Sequence, residues 1–179
     1  MKNVLKKSLL LVFALLLAVS LIACEGKKQR PAPSDEDESD VVTEKEISFA
    51  VLYNGTEIEL GKPAASVLEA LGEANSVKDA PSCGDGSTRK LYSYSSLLIY
   101  TLTADGEETI DEIEVRDDSP ETAAKISIGS SESDVRKAYG TPTAEKDGSL
   151  TYVSGQMELT IDLTDGNVSG INLFRNTNG

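Results

Sequence analysis

Ile58-Glu59-Leu60-Gly61 returns 68 residues later as Ile126-Ser127-Ile128-Gly129, and the residues beyond each stretch match as well. Val67 corresponds to Val135, Leu71 to Tyr139 and Gly72 to Gly140. Both places carry an apolar stripe at helical spacing that ends on glycine, the residue that most readily closes a helix in the left-handed conformation. Pro63 suits the first turn of the earlier helix. The later helix opens on Ser131-Glu132-Ser133-Asp134, where serine can cap a free N–H and Asp134 opposes the helix dipole favourably. Gly140 and Pro142 stop it.

Working outward, each helix is followed by apolar runs at strand spacing. After the first come residues 89–94, 97–103 and 110–116, with a turn at Asp105-Gly106. After the second come 150–153, 157–163 and 168–174, with a turn at Asp165-Gly166. The closing runs align as Ile110, Ile113 and Val115 against Val168, Ile171 and Leu173. Ahead of the first helix, Ile47, Phe49, Val51 and Tyr53 alternate with intervening residues, and Asn54-Gly55 separates them from 56–60. Two such runs joined by Asn-Gly predict a hairpin, because a type I′ turn needs positive φ at both central residues.

These signals predict an α+β fold of two tandem repeats, 47–124 and 125–179. Each repeat is a short strand, a short helix and three antiparallel strands. A helix of two or three turns is unstable alone, so its Val/Leu stripe must lie on a sheet. The expectation is one sheet of six to eight strands with both helices on one face. Residues 117–124, with Pro120, form the connector.

The N-terminus is different in kind. Lys2, Lys6 and Lys7 precede fifteen uncharged residues, Leu9 to Ala23. A spanning helix needs roughly 20 apolar residues, so the run fits a secretory signal peptide over 1–23. Leu21-Ile22-Ala23-Cys24 resembles the lipobox of bacterial lipoproteins. That resemblance implies a diacylglyceryl group on Cys24, cleavage before it, and attachment to the extracytoplasmic face of the cell membrane. Two acyl chains are what a stable lipid anchor requires. Residues 24–46, with Pro31-Ala32-Pro33 and Ser34-Asp35-Glu36-Asp37-Glu38-Ser39-Asp40, are too charged and too poor in apolar residues to fold, and predict a disordered acidic tether.

The formal charge of −13 becomes −16 once the three leader lysines are removed. A field of that sign repels phosphate backbones and excludes nucleic acid as a partner. The chain has no histidine, which removes the commonest general base and metal ligand. No cofactor is expected.

The pattern of glycine, a Val-containing helix, Leu/Tyr-Gly and paired strands closing on Ile-x-Leu resembles two related groups. One is the small outer-membrane-assembly lipoproteins of the SmpA/OmlA type; the other is the proteinaceous β-lactamase inhibitors. Both imply binding through surfaces without chemistry. Ala80-Pro81-Ser82-Cys83-Gly84 with Leu91-Tyr92-Ser93-Tyr94 is similar to uncharacterised lipoproteins of Gram-positive gut bacteria.

Two sets of residues carry candidate function. With Cys24 lipidated, Cys83 is a solitary thiol in a turn-rich loop. It is either a reactive group, with Lys78, Arg89 and Lys90 as substitutes for a histidine base, or a small apolar plug. Tyr92, Tyr94, Tyr100 and Tyr152 either stabilise cross-strand neighbours or line an open sheet as partner contacts. The expected function is a non-catalytic, membrane-anchored module that binds an envelope or extracellular protein. The alternatives are a structural envelope lipoprotein without a discrete ligand, and an enzyme using Cys83 or an acid pair such as Asp111/Glu112.

Overall fold

The structure, a computed structural model, describes residues 47–81 and 86–176. The leader 1–23, Cys24, the tether 24–46 and Cys83 lie outside the described residues. Regular structure begins with β1 (Ala50–Tyr53) and β2 (Thr56–Glu59), paired from Ala50↔Glu59 to Tyr53↔Thr56. Asn54 and Gly55 sit at φ 50° and 79°, as the type I′ turn demands. A third short strand, β7 (Glu121–Thr122), pairs with the other side of β1 and completes a small sheet.

The remaining strands make one large antiparallel sheet. They are β3 (Ser76–Ala80), β4 (Thr88–Ser93), β5 (Leu97–Ala104), β6 (Glu107–Val115), β8 (Ala144–Lys146), β9 (Ser149–Ser154), β10 (Met157–Thr164) and β11 (Asn167–Arg175). Their order is β3-β4-β5-β6-β11-β10-β9-β8. Each half is a meander of sequential hairpins, and the halves meet where Glu112–Val115 pairs with Ile171–Phe174.

Two eight-residue helices, α1 (Ala64–Leu71) and α2 (Glu132–Tyr139), contribute Ala64, Val67, Val135 and Tyr139 to the core. They share one cluster with Val51 and Ile58 of the small sheet and with Ile99, Ile113, Leu159, Ile161, Ile171 and Leu173 of the large one. Helices and small sheet therefore cover one face of the large sheet. The helices start differently. Pro63 offers α1 no side-chain cap, whereas Ser131 accepts from the Asp134 N–H at 3.2 Å and donates to its Oδ2 at 2.6 Å.

The expected α+β class is corrected here. Strand accounts for 52% of the described residues and helix for 13%, in two antiparallel sheets instead of one. The equal tandem repeats fail for identifiable reasons. The strand before α1 belongs to the small sheet. Ile126-Ser127-Ile128 is no strand at all: Lys125 at φ 66° folds the chain back, so the Ile126 carbonyl accepts from the Thr122 N–H at 2.8 Å. Its own N–H donates to the Thr122 hydroxyl at 3.2 Å, and local bonds replace a ladder. Conversely β3 and β8, rich in Lys, Asp, Glu and Ala, are strands despite poor intrinsic preference. Each lies along the open backbone of a well-formed neighbour, β4 or β9.

Candidate binding surface on the large sheet

The face opposite the core is built by alternation. In β5, Leu97, Ile99 and Thr101 are buried in the core, which sends Leu98, Tyr100 and Leu102 to the outer side. Register carries that side across neighbouring strands: Leu91 lies opposite Tyr100, Tyr100 opposite Glu112, and Glu112 opposite Phe174. Leu91, Leu98, Tyr100, Leu102 and Phe174 are all half-buried, and none packs against the core cluster. Together they form an apolar strip on the face of the sheet that no described helix or strand covers.

Charged groups border this strip. The Arg89 guanidinium lies 4.6 Å from the centre of the Tyr100 ring, a cation–π contact worth about 0.5–2 kcal/mol depending on desolvation. Arg89 also donates to Glu112 at 2.5 Å and stands 3.2 Å from Asp111. Asp111 occupies the extra position of the β5–β6 bulge, and Arg175 approaches it to 3.7 Å while donating to the Thr109 hydroxyl at 3.2 Å. The acid pair Asp111/Glu112 is thus held by two arginines on β4 and β11.

The four tyrosines singled out in the sequence do not share a surface. Tyr92 and Tyr94 lie on one face, as a spacing of two requires, but it is the core face. The Tyr92 hydroxyl donates to Glu108 at 3.1 Å; burial, that hydrogen bond and the Glu108 charge push its pKa up to about 12. Tyr94 donates to the Gly72 carbonyl at 3.3 Å, and burial raises its pKa. Tyr152 is 1% exposed, with its ring tilted 41° to Tyr139 at 5.2 Å between centres. Burial raises the pKa of both, Tyr139 to about 12. Tyr100 alone of the four faces outward. The sequence pattern alone did not single out Leu91, Leu98, Leu102, Phe174 or Arg89 as surface residues. For Leu98 and Leu102 the signal was available in the apolar residues at the outward places of β5.

An open cavity of about 300 Å³ is lined by Ile47, Phe49, Glu59, Leu60 and Met157. Another of about 340 Å³, at the join between β6 and β11, is lined by Glu114, Arg116, Ile128, Asp162 and Asn172 among others. Among the described residues no three His, Cys, Asp or Glu side chains converge to hold a metal ion. Among them, too, no helix is long and apolar enough to cross a membrane.

No family model matches the chain, and no curated protein matches it. Among solved structures it is similar to a cysteine-rich secretory protein from Staphylococcus aureus, at 12% identity and a TM-score of 0.41. That match covers 65% of this chain and 44% of the other, so the chain spans less than half the length of that structure.

Proposed function

We propose that residues 47–176 form a non-catalytic protein-binding module that engages an envelope or extracellular protein through the outer face of β4 and β5. One observation carries the proposal. β5 and β10 are eight-residue strands with nearly the same burial pattern, each at the third place from its edge of the large sheet. Tyr92 opposes Ile99 as Tyr152 opposes Leu159, and Ile113 opposes Ile99 as Leu173 opposes Leu159. The outward places match in turn, yet they hold Leu98, Tyr100 and Leu102 on β5 and Glu158, Thr160 and Asp162 on β10. The fold accepts polar residues at these places, so the apolar set on β5 answers a demand other than folding. Tyrosine beside arginine is typical of residues that dominate protein interfaces.

The lipobox resemblance at Cys24 supports a setting at the extracytoplasmic membrane face, and the likeness to surface-binding lipoproteins agrees with a module without chemistry. The test replaces β5 residues by their β10 counterparts: Leu98→Glu, Tyr100→Thr and Leu102→Asp together. Crosslinking on intact cells should recover a partner with the wild type and lose it with this variant, which should still unfold cooperatively. Equal recovery by both proteins refutes the proposed surface. In the same cells labelled fatty acid should enter the wild type and not a Cys24→Ala variant.

A further inference from the structure

The two edges of the large sheet are finished differently. Exposed edges invite another strand and are normally blunted by shortness, charge or cover. β8 is blunted: it has three residues, all exposed, and Arg136 of α2 donates to its Glu145 at 2.8 and 3.0 Å. β3 is longer, with five residues, and among the described residues no strand pairs with its outer side. Val77, its second residue, is 53% exposed, the more exposed of the two large apolar residues that stand out among the described residues. Lys78 lies on the outer face, in the row that runs through Leu91 and Tyr100, and makes no ion pair among the described residues. The open edge and the apolar strip thus adjoin, both in the first half of the sheet.

We propose that β3 is a strand-addition site for an extended segment of the partner, with apolar and acidic residues in alternation. The inference rests on the binding-module reading, and it specifies the mode and the chemistry of what binds. Backbone hydrogen bonds along Ser76–Ala80 supply affinity, and side chains at alternate positions supply selectivity. Residues directly opposite one another across a ladder share a face. An apolar side chain therefore meets Val77 on one side of the sheet, and its acidic neighbour meets Lys78 on the other. A second copy of this chain fits poorly. The antiparallel register that pairs all five residues of β3 with another β3 sets Lys78 against Lys78 and Val77 against Asp79, and the parallel one also sets Lys78 against Lys78.

The test uses the full chain and an end-blocked synthetic peptide of alternating valine and glutamate, with a valine–lysine peptide as its counterpart. The valine–glutamate peptide should slow amide exchange along β3 in a saturable manner. It should bind about three- to fivefold more tightly than the valine–lysine peptide, the ratio expected of one cross-strand charge pair, and Lys78→Glu should invert the order. No protection at β3, protection at β2 or β8 instead, or an unchanged preference in Lys78→Glu overturns the proposal. Protection of β3 that grows with protein concentration without peptide overturns it in favour of self-pairing. The triple β5 variant separates this inference from the reading beneath it. If that variant loses the cellular partner while the peptide leaves β3 unprotected, only the edge site falls. If it retains the partner, the binding surface itself falls.

Discussion

β5 and β10 hold corresponding places in the two halves of one sheet, and only their outward residues part company. Inward, Leu97, Ile99 and Thr101 face the core on one, and Leu159 and Ile161 on the other. Outward, the second half shows Glu158, Thr160 and Asp162, with Asp162 accepting from Ser149 at 2.5 Å, as a solvated face should. The first half shows two leucines and a tyrosine in the same setting. The difference separates what the architecture requires from what it merely permits. The same contrast holds at the edges, where β8 is tied down by Arg136 and β3 is not.

The tyrosines sharpen the comparison most. Tyr152→Ala should cost about 3–5 kcal/mol in chemical denaturation, since it empties a site packed against Tyr139. Tyr100→Ala, on the outer face, should cost about 0.5–2 kcal/mol, less than Tyr152→Ala, while weakening partner capture. Equal losses of stability would erase the distinction between structural and surface tyrosines. A second effect is pH-dependent. Tyr139 is raised from 10.0 to about 12 in the folded state, so the unfolded chain loses its proton first. Its contribution is full below pH 10 and disappears as pH climbs from there through about 12, on the order of 2 kcal/mol for such a buried phenol. Tyr139→Phe should flatten that part of the alkaline limb of a stability–pH profile, and an unaltered limb would place the loss elsewhere. The smallest effect concerns the helix starts. Ser131→Ala should lower stability by about 1 kcal/mol through loss of the cap, while Pro63→Ala has no side-chain cap to lose. Matching thermal shifts in the two variants would contradict the asymmetry.

The sequence was most legible where one residue's backbone geometry dictates the outcome. Asn54-Gly55, Asp105-Gly106 and Asp165-Gly166 all turn at positive φ, and Gly72 and Gly140 close the helices. Ser131 caps α2 as its position before the apolar stripe suggests. Asp147-Gly148 gives the same turn signal, and reading it would have disclosed the β8–β9 hairpin. Layer assignment was not legible. Nothing within Thr56–Glu59 or Ile126-Ser127-Ile128 says which sheet, if any, will accept it. That depends on β1 finding β7 and on Lys125 turning the chain. The surface was half legible for a similar reason. A spacing of two tells that Tyr92 and Tyr94 share a face, but only register with Ile99 tells that it is the buried one. Even the match of closing strands shifts: register aligns Ile113 with Leu173, where the sequence pairs it with Ile171.

The join between β6 and β11 governs how the molecule assembles in time. Every other neighbour pair in the large sheet consists of strands consecutive in the chain, the kind of hairpin that closes within about 1–10 μs. The join brings together strands separated by residues 116–166, through four residue pairs. Its loop-closure entropy is spent before its contacts return anything. The two meanders, whose contacts are local, should therefore form first, and the docking of Glu112–Val115 against Ile171–Phe174 should be the slow step in folding.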